Sequence, residues 1–248
     1  MIDGPNDMVL RNMKALMANP YPGRGLVVGT SQDSEHAVQI YWIMGRSENS
    51  RNRIFSFEGG RLFTEAADPS KVKDPSLIIY NAMDEYRGNY VVSNGDQTDT
   101  VVKKLEVDAY ASLADALSGR VFEPDAPNFT PRITGLSTFH EGKFLTEISI
   151  LRRSGVASGS NCERFCFRYE NLISGFGMCI TTYTGDGCPL ASFTGEPYVM
   201  PIQPSIDEVA TTYWGMLNAE NRVSLAVKFI NAKTGKSQIR VINQYSKI

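Results

Sequence analysis

The sequence predicts an α+β fold. Three features predict it: about ten strand-like segments stand against three helices, there is no regular strand–helix–strand alternation of the kind a doubly wound parallel sheet needs, and no internal repeat, low-complexity tract or long linker interrupts the chain. The whole span 1–248 therefore reads as one domain. With a hydrophobic fraction of 42% and a charged fraction of 21%, a sizeable buried core is expected.

Residues 7–18 predict the first helix, with Asp7 as its cap and Leu10, Met13, Leu16 and Met17 on one face. The turn-rich stretch 19–25 then leads into strands at 26–29 and 37–45, joined by a polar loop. Further strands are expected at 53–57 and 77–82, with a loop rich in Pro, Asp and Lys at 66–76 between them. A short strand at 90–93 meets the Asn94-Gly95 turn. A second helix starts from Thr98 or Asp99. It carries Val101, Leu105, Ala109, Leu113 and Leu117 at near-helical spacing, with Gly119 as its stop.

Residues 122–131 include Pro124, Pro127 and Pro131 and predict an extended loop. Strands follow at 133–139, 144–151, 164–169 and 178–183. A third helix spans 206–218, where Ser205 and Glu208 form a capping box and Ile206, Val209, Ala210, Tyr213, Trp214 and Leu217 make a wide apolar stripe. Strands at 223–230 and 238–245 close the chain around a turn at 233–236.

Several function classes are disfavoured at once. The formal charge is −2 and no Lys/Arg block occurs, which argues against nucleic-acid binding driven by phosphate neutralisation. No apolar run is long enough to span a membrane. The N-terminus mixes Asp3, Asp7 and Arg11 and lacks the basic start and apolar run of a secretory signal, so a cytoplasmic location is expected. Cys162, Cys166, Cys179 and Cys188 fit no zinc-ligand spacing and read as reduced thiols. Only His36 and His140 could supply imidazole. Unless one of them falls in the site, the chemistry rests on Arg, Tyr, Asp, Glu, Asn and backbone groups.

Five segments could carry that chemistry. In 41–53, Arg46, Arg51 and Arg53 fall together among Ser47, Asn49, Ser50 and Asn52. Guanidinium forks bind phosphate bidentately and stay charged, although such a run also reads as a solvated loop. Arg24, in Pro22-Gly23-Arg24-Gly25 at a strand start, strengthens the case for an anion site. Tyr80-Asn81 is either a plain strand exit or a buried phenol near cations that can donate to a developing oxyanion. Ser93–Thr100 runs into a helix N-terminus, where free N–H groups suit anions; capping by Thr98 or Asp99 explains only part of this run. Residues 122–135 set Glu123, Asp125 and Arg132 on a stiff path, which by pattern alone is a surface loop. The loop opening at Tyr183-Thr-Gly-Asp186 reads as structural, with Asp186 as a residue that could line a site.

In chain order, Tyr21-Pro-Gly-Arg-Gly25, Gly45-Arg-Ser with Asn52-Arg53, Tyr80-Asn81, Ser93-Asn-Gly with Thr98-Asp99-Thr100, and Thr130-Pro-Arg-Ile133 resemble the archaeal-type IMP cyclohydrolases. The likeness covers residues 21–135. It implies the four-layer αββα sandwich of the N-terminal-nucleophile hydrolases without the usual nucleophile, since loss of Met1 would expose Ile2. It also implies closure of 5-formamidoimidazole-4-carboxamide ribotide to IMP, with no metal and no cofactor. By the same resemblance Arg53, Tyr80 and Glu123 are the catalytic set. Arg24, Arg46, Asn81, Asn94, Thr98, Asp99 and Arg132 are the substrate-binding set, with Arg24, Arg46 and the N–H groups near Thr98 on the phosphate. The implied partners are the purine ribotide and IMP, with no nucleic acid or membrane; a homo-oligomer is left open. Two other readings stay open: an enzyme on this fold with a different amide or nucleotide substrate, and a nucleotide-binding protein without turnover.

Overall fold

The computed structural model describes residues 4–72, 75, 78–140, 143–156 and 161–247. In chain order its elements are α1 (Pro5–Ala18), β1 (Gly25–Thr30), β2 (His36–Met44), α2 (Glu48–Arg51), β3 (Ile54–Glu58), β4 (Arg61–Glu65), β5 (Asn81–Tyr86), β6 (Asn89–Ser93), α3 (Gln97–Val107), α4 (Leu113–Ala116), β7 (Arg132–His140), β8 (Lys143–Arg153), β9 (Cys162–Tyr169), β10 (Phe176–Thr181), β11 (Tyr198–Pro201), α5 (Ile206–Met216), β12 (Arg222–Asn231) and β13 (Ser237–Asn243). This is a mixed α+β arrangement with two antiparallel sheets and few helices. One sheet runs β11-β10-β1-β2-β12-β13 and the other is a meander, β3-β4-β5-β6-β7-β8-β9.

The side-chain alternation of each strand decides what it covers. Leu26, Val28, Tyr41 and Ile43 of the first sheet meet Ala82, Val92, Ile133 and Ile148 of the second in one buried cluster. The intervening Val27, Ile40 and Trp42 face the other way, against Leu16 of α1 and Val209 and Tyr213 of α5. On the far face of the second sheet, Val101 and Leu105 of α3 pack with Leu113 over Val91, Leu136 and Leu151. β2 is covered on both faces, which is why it reads as a nearly unbroken apolar run. Polar ties also cross between the sheets. Gln39 donates to the Tyr90 carbonyl at 2.8 Å. The buried Lys228 donates to Glu85 at 2.6 Å and to the Gly60 carbonyl at 2.9 Å. Burial pulls the Lys228 pKa down against the opposing pull of Glu85.

The elements differ from expectation at definite points. α1 starts at Pro5 with Gly4 as its cap, and Asp7 lies inside the first turn. Val9, Met13 and Leu16 form its sheet-facing stripe, while Leu10 and Met17, one step round the helix, are exposed. The expected 98–119 helix is two helices. α3 ends at the Asp108 cap, and the Ser112–Asp115 capping box starts α4, because both side chains offer the backbone partners that compete with helix continuation. Leu113 and Leu117 reach the same core across the break. The strand expected at 77–82 starts at Asn81 and runs on to Tyr86, and Ile79 is exposed; Leu77 lies outside the described residues, as do Ile2 and the side chain of His140. The β3–β4 hairpin, not expected as such, turns at Gly59-Gly60, both at positive φ, as a two-residue hairpin loop requires. Among the described residues, no helix is long and apolar enough to cross a membrane.

Candidate active site

A cavity of about 380 Å³ opens where the two sheets meet, and Tyr21, Arg24, Arg46, Arg53, Glu123 and Tyr183 are among its lining residues. Arg24 enters it from the start of β1. The Pro22-Gly23-Arg24-Gly25 motif has a packing reason. Gly23 sits at φ +73° against Thr182 and Tyr183, and a Cβ at Gly25 would meet the buried Trp42 ring at 2.0 Å. Gly25→Ala is therefore expected to destabilise the fold by roughly 1–3 kcal/mol, read as a lowered Tm in thermal unfolding. The Arg24 main chain is held by its N–H donating to Thr182 Oγ1 at 3.1 Å and by its carbonyl accepting from Thr182 N–H at 2.8 Å.

Glu123 comes from the proline-rich loop before β7. Its N–H donates to the Thr130 carbonyl at 2.9 Å, and Asp125 accepts from the Thr130 N–H at 2.6 Å, which closes the loop on itself. The Phe122 and Phe129 rings pack edge to face beneath it. This path delivers a carboxylate that is only 2% exposed to Arg24 Nη2 at 2.8 Å. Burial raises the Glu123 pKa above the ordinary carboxylate value, with Arg24 and Arg132 opposing. Burial works the other way on Arg24, yet the neighbouring Glu123 carboxylate opposes it and the guanidinium is held charged. Both directions stand together: the pair is an ion pair whose acid is nearer to protonation than a solvated one.

Two of the three arginines in 46–53 reach the cavity. Arg53 is buried and pins the segment shut, donating from Nε to the Ser50 carbonyl at 2.8 Å and from Nη2 to the Met44 carbonyl at 3.2 Å. Arg53 also lines the cavity. The Ser47–Ser50 capping box shapes the turn. Arg46 lies at the rim over the Tyr21 ring, 4.8 Å from its centroid, and contacts Asp186. Arg51 donates to the Gly45 carbonyl and to Asn221 and does not line the cavity.

Tyr80 is buried and does not line the cavity, its hydroxyl sharing a 2.7 Å hydrogen bond with that of Tyr41. Burial, with Tyr80 next, holds the Tyr41 phenol well above its ordinary pKa. Of the expected catalytic set, the cavity brings together Arg53 and Glu123.

The remaining expected residues are placed elsewhere. Asn94 is fully buried, accepting from the Ile133 N–H at 2.8 Å and from Gln97, and donating to the Pro131 carbonyl at 2.9 Å. Thr98 is buried against Ser93 Oγ at 2.6 Å, and its N–H donates to the Gly95 carbonyl. Asn81 donates to Asp99 at 2.8 Å on the α3 side of the second sheet. None of these four lines the cavity. Arg132 donates to Asp96 and Gln97, each at 2.7 Å, and stands behind Glu123 as a second positive charge.

Three contributors were not singled out in the sequence. Tyr21 stacks on Tyr183 at 6.0 Å and carries Arg46. Thr130 Oγ1 joins the Tyr183 hydroxyl to Asp125. Burial pushes the Tyr183 phenol up to about 12, with Arg24 opposing. Tyr21 and Thr130 sit inside the quoted motifs, where the glycines and arginines drew attention first. Among the described residues, no group of three or more His, Cys, Asp or Glu side chains could hold a metal.

A family model described as IMP cyclohydrolase-like protein matches residues 21–235. A Methanothrix thermoacetophila protein named IMP cyclohydrolase is 32% identical over 178 residues, which is 71% of this chain and 80% of that protein. A Methanopyrus kandleri protein of the same name is 32% identical over 135 residues, 51% of this chain and 65% of that protein. The matched range contains every lining residue of the cavity.

Proposed function

This chain belongs to the IMP cyclohydrolase-like family, and on that premise we propose that the cavity around Arg24 and Glu123 is where 5-formamidoimidazole-4-carboxamide ribotide closes to IMP. The chain is an IMP cyclohydrolase, an enzyme of purine biosynthesis. The single observation that carries the site assignment is the buried Arg24–Glu123 pair in a cavity with two further arginines.

In the reaction the carboxamide nitrogen attacks the formyl carbon of the same molecule. The nitrogen gives up one proton, the formamido nitrogen gives up another as the C=N bond forms, and the former formyl oxygen leaves as water. Both reactants are already tethered, so holding a near-attack rotamer is worth several kcal/mol. Glu123 orients the carboxamide and accepts its proton; a raised pKa suits a base that must later return a proton to the leaving oxygen. Arg53 stabilises the formyl oxygen as it gains charge, and the Tyr80 phenol, hydrogen-bonded to Tyr41, supports the site from outside its lining. Arg46, at the rim, takes the phosphate. Arg24 is reassigned from the phosphate to the reacting end, because its side chain is committed to Glu123. Asn94 and Thr98 brace the β6–α3 turn beneath the site, and Asn81 with Asp99 ties α3 to β5.

The three stacked clusters, helix on sheet, sheet on sheet and sheet on helix, support the four-layer αββα sandwich of the N-terminal-nucleophile hydrolases for a single domain over the whole chain.

Incubating the purified protein with the formamido ribotide and following the ultraviolet change of IMP formation tests the assignment; tight IMP binding without turnover would overturn it. Within this scheme Tyr80→Phe loses the hydroxyl that faces Tyr41 and is expected to lower kcat about tenfold. A folded Tyr80→Phe enzyme with full cyclisation rate would remove the phenol from the mechanism.

A further inference from the structure

We infer that Asp186 is a positioning residue that holds Arg46 and competes for it with the ribotide phosphate. This rests on the reading above that Arg46 holds the phosphate. Arg46 Nη1 donates to the Asp186 carboxylate and to the Gly187 carbonyl, the latter at 3.0 Å. The guanidinium lies over the Tyr21 ring and lines the cavity. Its charge at the rim is therefore already answered by an anion of the chain itself.

The two arginine–carboxylate pairs of the site differ in what it takes to separate them. Arg24–Glu123 is sealed, with side-chain exposures of 11% and 3%; parting it would strand a charge in the protein interior. Arg46–Asp186 is open, at 36% and 47%. An exposed pair contributes little, so a dianionic phosphate with three acceptor oxygens can take the carboxylate's place. The geometry provides for the exchange on both sides. Tyr21 keeps its hold on the Arg46 guanidinium by stacking. Asp186 Oδ1 also accepts from the Gly187 N–H at 3.0 Å and stays satisfied in its own turn. The loop need not depart, because the Leu190 N–H donates to Asn128 at 3.1 Å and the Thr184 N–H to the Ala191 carbonyl at 3.1 Å. Asp186 thus holds an otherwise flexible arginine in its binding pose, at the cost of competing with the ligand for it.

Asp186→Asn tests this, because asparagine keeps the acceptor for the Gly187 N–H and removes the charge. The Kd of IMP and the inhibition constant of inorganic phosphate are expected to fall about two- to fivefold, with a steeper dependence on ionic strength. In an Arg46→Ala background the same substitution should change neither constant. A purely structural role would instead loosen the rim and raise both constants. If Asp186→Asn leaves IMP affinity unchanged or weakens it while Arg46→Ala weakens it about tenfold or more, the inference falls and the phosphate reading stands. If Arg46→Ala leaves IMP affinity unchanged, the phosphate reading falls and this inference with it. Thermal unfolding verifies the fold of each variant, and Asp186→Ser repeats the comparison should the asparagine protein not fold.

Discussion

Glu123→Gln is expected to lower kcat by about 10²- to 10⁴-fold, the range over which a positioned acid–base group contributes, with far less effect on the Kd of IMP. The carboxylate is buried at the end of a loop fastened by Asp125 and Thr130 and lies 2.8 Å from Arg24. Glutamine fills the same space and still accepts a hydrogen bond from Arg24, but it leaves that guanidinium buried without its carboxylate, so proton acceptance is lost together with some stability. The pH profile gives a second readout. A base works only when ionised, so kcat/KM falls as pH drops through the Glu123 pKa. Burial raises that pKa, so the acid limb should lie above the ordinary glutamate value of about 4.3. In Glu123→Gln that limb should vanish from the residual activity. A variant that keeps both the limb and the rate would take the carboxylate out of the reaction.

Arg24→Ala is expected to do damage of two kinds. Removing the guanidinium leaves Glu123 buried without its nearest positive charge, a change that costs about 3–5 kcal/mol in comparable buried pairs. Denaturant unfolding would show it as a lower midpoint. Arg24 is also the first influence opposing the burial of Glu123, so without it the carboxyl pKa rises further and any remaining activity shifts to higher pH. Arg24→Lys keeps the charge without the planar fork and should fall between the two proteins in both measurements. Unchanged midpoint and unchanged acid limb in Arg24→Ala would show that the pair is neither structural nor catalytic.

How much of this was legible in the sequence depends on whether a residue's task is local. The α+β class and most strands were, because alternation between two covered faces is a local pattern, as in Leu26–Val28 and Tyr41–Ile43. β4 was missed although Gly59-Gly60 marks its hairpin. The break between α3 and α4 was missed because Leu113 and Leu117 keep helical spacing across it. In the site, Arg24, Arg46, Arg53 and Glu123 stood out as charges beside turn residues. Asn94 and Thr98 drew attention as small polar groups before a helix. A buried turn needs such groups to satisfy its own backbone, and that is where their hydrogen bonds go. Tyr41 and Tyr183 were silent because a core phenol looks like any other aromatic until its hydroxyl partner, distant in sequence, is known.

The Arg24–Glu123, Tyr41–Tyr80 and Thr130–Tyr183 contacts each join a residue of the first sheet or its flanking loops to one of the second. Neither sheet alone carries the proposed site. Catalysis should therefore serve as a gauge of sheet stacking: any lesion that lets one slab slide over the other, even far from the ribotide, would silence turnover before it melts either sheet.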